Sequence, residues 1–141
     1  MGHSMRIYIF GILVALLGLL VVGQVRADER CGLRSDAVLT VQRWNVEQVK
    51  PGKYELQVYL DSLDPKDIAH VSGTIEFFVG KDHILSAPLT FKYPIPVHAH
   101  FVINSHKKKL PNPILAGAPD VVALACVSDI SYADGSGVII N

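Results

Sequence analysis

His98 and His100 are separated by one residue, so on a β-strand their side chains project from one face, roughly 6.5–7 Å apart along the backbone. Two neutral imidazoles in that arrangement can chelate a transition metal, although a tetrahedral site takes three or four ligands. His106 follows nearby, and His70 approaches if its strand faces the same side. No carboxylate or thiol stands at a fixed spacing from the pair. Two readings therefore stand for His98 and His100: a metal-binding pair, or solvated histidines on an exposed strand face.

Cys31 and Cys126 are the other residues with chemistry of their own, and their reading depends on where the chain goes. Met1 to Arg6 carries the amino terminus and one arginine. Ile7 to Val22 is then free of charge and of strongly polar groups, and Val25 and Ala27 place small residues before a cut after Ala27. This is the three-part layout of a secretory signal peptide. As a helix the apolar run spans roughly 24 Å, short of a hydrocarbon core of about 30 Å. Residues 1–27 are expected to be a cleaved signal, with an uncleaved anchor as the alternative. The Asp-Glu-Arg ahead of Cys31 lacks the small apolar residues of a lipobox.

In an oxidising compartment two thiols usually become one disulfide. A Cys31–Cys126 bridge would staple the start of the mature domain, 28–141, to a late strand. The alternative is a buried, apolar Cys126 and a free Cys31 in a frayed terminus. No signature of a catalytic thiol surrounds either one.

Composition excludes some classes of function. The chain has 13 Lys and Arg against 13 Asp and Glu, and setting aside Arg6 and Arg26 of the signal leaves an excess of acid. A general nucleic-acid binder needs a basic face to neutralise phosphates, so none is expected. Half the residues are apolar, which is not the composition of a disordered chain. The acidic groups are scattered singly, and no Ser-His-Asp pattern, phosphate loop or Cys-His zinc motif appears.

Lys107-Lys108-Lys109 is the only dense charge cluster: a contact for an anionic partner or lipid surface, or a solubilising guard on a strand end. The Leu110–Pro119 loop is unusually apolar, either as a partner contact or as a cap on the core. Trp44 reads as a core aromatic and Tyr59 as a lone aromatic on an outer face, rather than as a sugar-stacking platform.

These residues must be positioned by strands, because period-2 alternation dominates the mature chain. Tyr54, Leu56, Val58 and Leu60 alternate with largely polar neighbours. Ala69, Val71, Gly73, Ile75, Phe77 and Val79 carry the inner face of the next segment, with His70, Ser72, Thr74 and Glu76 outward. Gly80-Lys81-Asp82 turns into a return strand over 84–93. Between 38 and 46 the apolar parity changes, with Leu39 and Val41 on one phase and Trp44 and Val46 on the other. A β-bulge between them restores a single inner face. Further strands are expected at 97–103, at 120–131 (apolar on both parities, as in a central strand), and at 137–140 after an Asp134-Gly135 turn. One helical turn is conceivable at 63–67. Seven short strands predict an all-β, antiparallel two-sheet sandwich of immunoglobulin-like type, with a small closed barrel as the alternative.

The run Val71-Ser72-Gly73-Thr74-Ile75-Glu76-Phe77, followed by Gly80, resembles the central hairpin of small exported bacterial immunoglobulin-like domains of the FxLYD type. The preceding strand, ending Asp61-Ser62-Leu63, is similar in position. The resemblance implies a non-catalytic extracytoplasmic accessory domain, and it carries over no functional residues. The expected function is thus an exported interaction domain, periplasmic or secreted. It would have an unknown protein partner, no cofactor, and no membrane contact after signal cleavage. The alternative is a periplasmic metal-binding module using His98 and His100.

Overall fold

Alternation turns into two stacked antiparallel sheets in the computed structural model, which describes residues 28–91 and 94–140. The signal expected over 1–27 lies outside the described residues. Seven strands form in chain order: β1 (Leu39–Lys50), β2 (Lys53–Ser62), β3 (Ile68–Val79), β4 (Asp82–Pro88), β5 (His100–Lys107), β6 (Val121–Tyr132) and β7 (Gly137–Ile139). One sheet has the order β1-β2-β5 and the other β4-β3-β6-β7. The chain crosses between sheets at β2–β3, β4–β5 and β5–β6, which gives the Greek-key connectivity of immunoglobulin-like sandwiches. The fourth strand pairs with the third instead of with the fifth, so the split is three strands against four.

The inner faces meet in one apolar core that includes Leu39, Leu56, Leu60, Ile75, Phe77 and Val127. Trp44 packs edge-on against Phe77, with ring centroids 5.9 Å apart. The expected bulge in β1 is present: Val41 pairs with Leu60 and Arg43 with Tyr59, leaving Gln42 as the additional residue. All four of Leu39, Val41, Trp44 and Val46 consequently join the core.

Several expectations need correction. Ala69 is exposed, because the register shifts between Ile68 and His70 and turns Ile68 inward in its place. The return strand ends at Pro88, not at residue 93. Its last tie to β3 is the Leu89 amide on the Gly73 carbonyl at 3.3 Å. The chain then crosses to Ile95, which exchanges two 2.8 Å backbone bonds with Ile68. β5 begins at His100, not at Val97. Pro94 and Pro96 lack the amide hydrogens a strand ladder needs. A turn then closes from the Ala99 amide to the Pro96 carbonyl at 3.1 Å. Segment 63–67 makes no helix; among the described residues the one α-helical turn, α1, is Asn112–Leu115 in the apolar loop, where Ile114 is fully buried and caps the core.

Before β1, a 3₁₀ turn (Glu29–Cys31) lies against the outer face of the four-stranded sheet. Cys31 is bonded to Cys126, with Cα atoms 5.4 Å apart. Cys126 stands directly opposite Thr74 on that face. Ser35 then exchanges backbone bonds of 2.9 and 2.8 Å with Val127.

Candidate functional site

The two histidines singled out by spacing do not share a strand. His98 lies in the turn before β5 with φ of 54°, a left-handed conformation unusual for a side-chain-bearing residue. His100 opens β5, and its Nδ1 meets the carboxylate of Asp61, directly opposite on β2. Farther along the ladder His106 Nδ1 lies 3.8 Å from Glu55 Oε2. His70 is on the other sheet, with Nε2 3.4 Å from Ser72 Oγ. Among the described residues no three His, Cys, Asp or Glu side chains gather as a metal site. The pair on one strand face is therefore replaced by a single histidine–carboxylate contact at His100.

A denser polar cluster forms where alternation predicted plain solvent. Glu76 is on the outer face of β3, yet only 6% of it is exposed. Arg34 covers it, with Nη1 3.0 Å from Oε1, and the hydroxyls of Thr74 and Ser86 donate to the same carboxylate. His83 Nε2 lies 2.6 Å from Oε2. Burial pushes the carboxyl upward, but hydrogen bonds from Ser86, Thr74, Arg34 and His83 outweigh it and hold Glu76 down at about 2. Beside the cluster, the Arg30 guanidinium sits 5.3 Å over the Phe78 ring. Phe78 is thereby buried on a face that would otherwise be wet.

Serine, histidine and glutamate together invite a comparison with a nucleophilic triad, and the geometry fails it. A triad needs the serine on one imidazole nitrogen and the acid on the other. Here one nitrogen, His83 Nε2, faces both Ser86 Oγ at 3.0 Å and the Glu76 carboxylate. That nitrogen lies closer to the carboxylate, at 2.6 Å, than to the hydroxyl, at 3.0 Å, so serine, imidazole and acid are not strung in the order a triad requires. The cluster is a clamp that fixes the N-terminal segment to the sheet.

The remaining feature is an edge. β5 pairs with β2 over Asp61 to Tyr54 without a register shift, and among the described residues no other backbone group bonds to it. Along this edge runs a groove of about 760 Å³ lined by Phe91, Ile95, Ala99, Phe101 and Ile103, with His100 and His106 at its rim. Phe91 and Phe101 meet edge-on across it at 6.4 Å. No described lining residue carries a carboxylate. Lys108 and Lys109 continue the strand into solvent, while the Lys107 ammonium reaches the Ser86 carbonyl at 3.3 Å.

Sequence reading missed the Glu76 cluster and the open edge. Phe78 was a usable signal for the first: a second phenylalanine on the polar phase of a strand implies a cover over that face. No sequence signal marks an unpaired edge, because edge position is a property of topology. No protein family, no curated protein and no solved structure was found to match this chain.

Proposed function

We propose that this chain is an exported, non-catalytic binding domain of the periplasm or cell envelope that holds a protein partner along β5. The observation that carries the reading is the regular, unbulged edge of that strand with an apolar groove beside it. The disulfide supports export, since such bonds persist in oxidising compartments. So does the Asp28 nitrogen, which lies 3.1 Å from Asp36 Oδ1. In a chain cut after Ala27 that nitrogen is the α-ammonium, and it rests on a carboxylate.

The test is the exported full chain carrying a photo-reactive amino acid at Val102 on β5, compared with the same group at Asn45 on β1. The expected result is a mature chain starting at Asp28, lighter by the hydrogens of one disulfide, that crosslinks a defined envelope protein from Val102 and not from Asn45. Free thiols, or equal crosslinking from both positions, would overturn the reading.

A further inference from the structure

Among the described residues every sheet edge but that of β5 is interrupted by a register shift, a proline or short length, while β5 carries only the lysines Lys107 to Lys109 at its end. β1 bears two register shifts, at Gln42 and near Val49, and Arg43, Glu47 and Lys50 along its length. β4 has a shift against β3 and ends in Pro88. β7 is three residues long. Bulges, prolines, charges and short length are the devices that stop a strand from templating another chain. β5 has eight residues, no shift against its neighbour and no proline. Its sheet is also one strand shorter than the sheet it faces.

We infer that β5 accepts an extended, acidic-ended peptide segment of a partner protein as a fourth strand of the β1-β2-β5 sheet. This rests on the reading of β5 as the docking edge and adds the chemistry of the occupant. An added strand bonds through its backbone and places alternate side chains into the adjoining surface. Here that surface is Phe91, Ile95 and Phe101, so apolar residues suit every second position of the incoming segment. Every strand pair in both sheets is antiparallel, so the added strand is taken as antiparallel too. Its N-terminal end then lies beside Lys108 and Lys109, where acidic residues are complementary. A second copy of this chain fits less well. Two β5 strands paired antiparallel would bring Lys107–Lys109 of each toward His98–His100 of the other, and β5 has no carboxylate of its own to answer them.

The probe is an eight-residue peptide of alternating valine and threonine with two aspartates at its N-terminus and a fluorescent label, titrated into the oxidised protein. Saturable binding is expected, weakened by about a hundredfold when alternate peptide nitrogens on the bonding edge are methylated, because several backbone bonds are lost. Lys108→Glu/Lys109→Glu should weaken it by about tenfold at low salt, an effect that fades as salt rises. Both lysines are exposed, and the methylated peptide leaves the protein untouched, so misfolding does not obscure the result. No binding, or binding indifferent to methylation, would overturn strand addition. Crosslinking from Val102 would in that case still support the docking edge, so the two readings fail separately. A concentration-dependent dimer that the peptide does not dissociate would also overturn the proposal, in favour of a second copy.

Discussion

Arg34 Nη1 lies 3.0 Å from Glu76 Oε1, joining the segment after Cys31 to the outer face of β3. The disulfide holds the same segment to β6. Arg34 Nε also bonds the Cys31 carbonyl at 3.3 Å, so covalent and ionic ties act on one short stretch of chain. A carboxylate bridged to arginine under a covering segment is costly to bury alone and stable when every oxygen is answered. The clamp closes part of the outer face of the four-stranded sheet, on the sheet opposite the one that carries β5.

Reducing the disulfide should therefore loosen this cover and lower stability. The bond closes a loop with a sequence separation of 95, for which chain entropy gives about 4.7 kcal/mol before any strain is subtracted. Thermal melts with and without reductant should show a lower midpoint on reduction, together with faster proteolysis ahead of β1. Identical melts would show that the noncovalent ties, Arg34 to Glu76 and Ser35 to Val127 among them, hold the segment without the disulfide.

Acid should release the same clamp. Glu76 sits at about 2 in the folded protein against an ordinary carboxyl value of 4.5. A folded value below the unfolded one contributes stability that is fully present above the unfolded value and lost as pH falls through the folded one. The loss should run from about pH 4.5 down to about 2 and amount to about 3 kcal/mol. In Glu76→Gln that part of the pH dependence should vanish, and the variant should be less stable at pH 7. Parallel acid-unfolding curves for the two proteins would overturn the assignment.

Most of the strand pattern was legible because burial on one face writes itself as period 2, and Leu56, Val58 and Leu60 show it without interruption. Departures trace to single residues that alternation cannot see. One extra residue at Ala69 flips the inward position to Ile68. The turn at His98 delays β5, which dissolves the histidine pair. Glu76 looked solvent-facing because polar residues on an outer phase usually are. Only the chain folded back by Cys31 makes that face an interior.

Gly73 has a specific reason to be glycine. A Cβ there would lie 2.3 Å from the Cys126 carbonyl oxygen and 3.0 Å from Val127 Cα, both backbone atoms of the paired strand. Gly73→Ala must push β3 and β6 apart beside the disulfide. We expect a loss of about 2 kcal/mol or more in denaturant unfolding. An unchanged midpoint would show that the ladder yields freely at the neighbouring register shift.

Ser62 should respond in the opposite direction. It is 2% exposed at the end of β2, and its hydroxyl meets no partner among the described residues. Its backbone amide is satisfied by the Ala99 carbonyl at 2.9 Å, so only the side chain is affected. Ser62→Ala should stabilise the domain by about 1 kcal/mol, the cost of a desolvated hydroxyl. A destabilised variant would reveal a hydrogen bond that the hydroxyl makes in solution.

Gln42 makes the sharpest test of how sequence sets this fold. Its side chain is exposed and contributes nothing to the core. As the additional residue of the bulge, it alone lets Leu39 and Val41 share an inner face with Trp44 and Val46. Deleting Gln42 forces one pair to face solvent, since a one-residue slip reverses every side chain beyond it. If the β2 register beyond the turn holds, Leu39 and Val41 are expelled, and Leu39 is fully buried in the intact protein. If the first half of β1 holds, Trp44 leaves Phe77. The chain contains one tryptophan, so its emission separates the outcomes. A red shift marks the second, and a melt lowered by about 2 kcal/mol or more without a shift marks the first. Deletion with neither change would mean that the bulge merely accommodates an inserted residue and plays no part in setting the register.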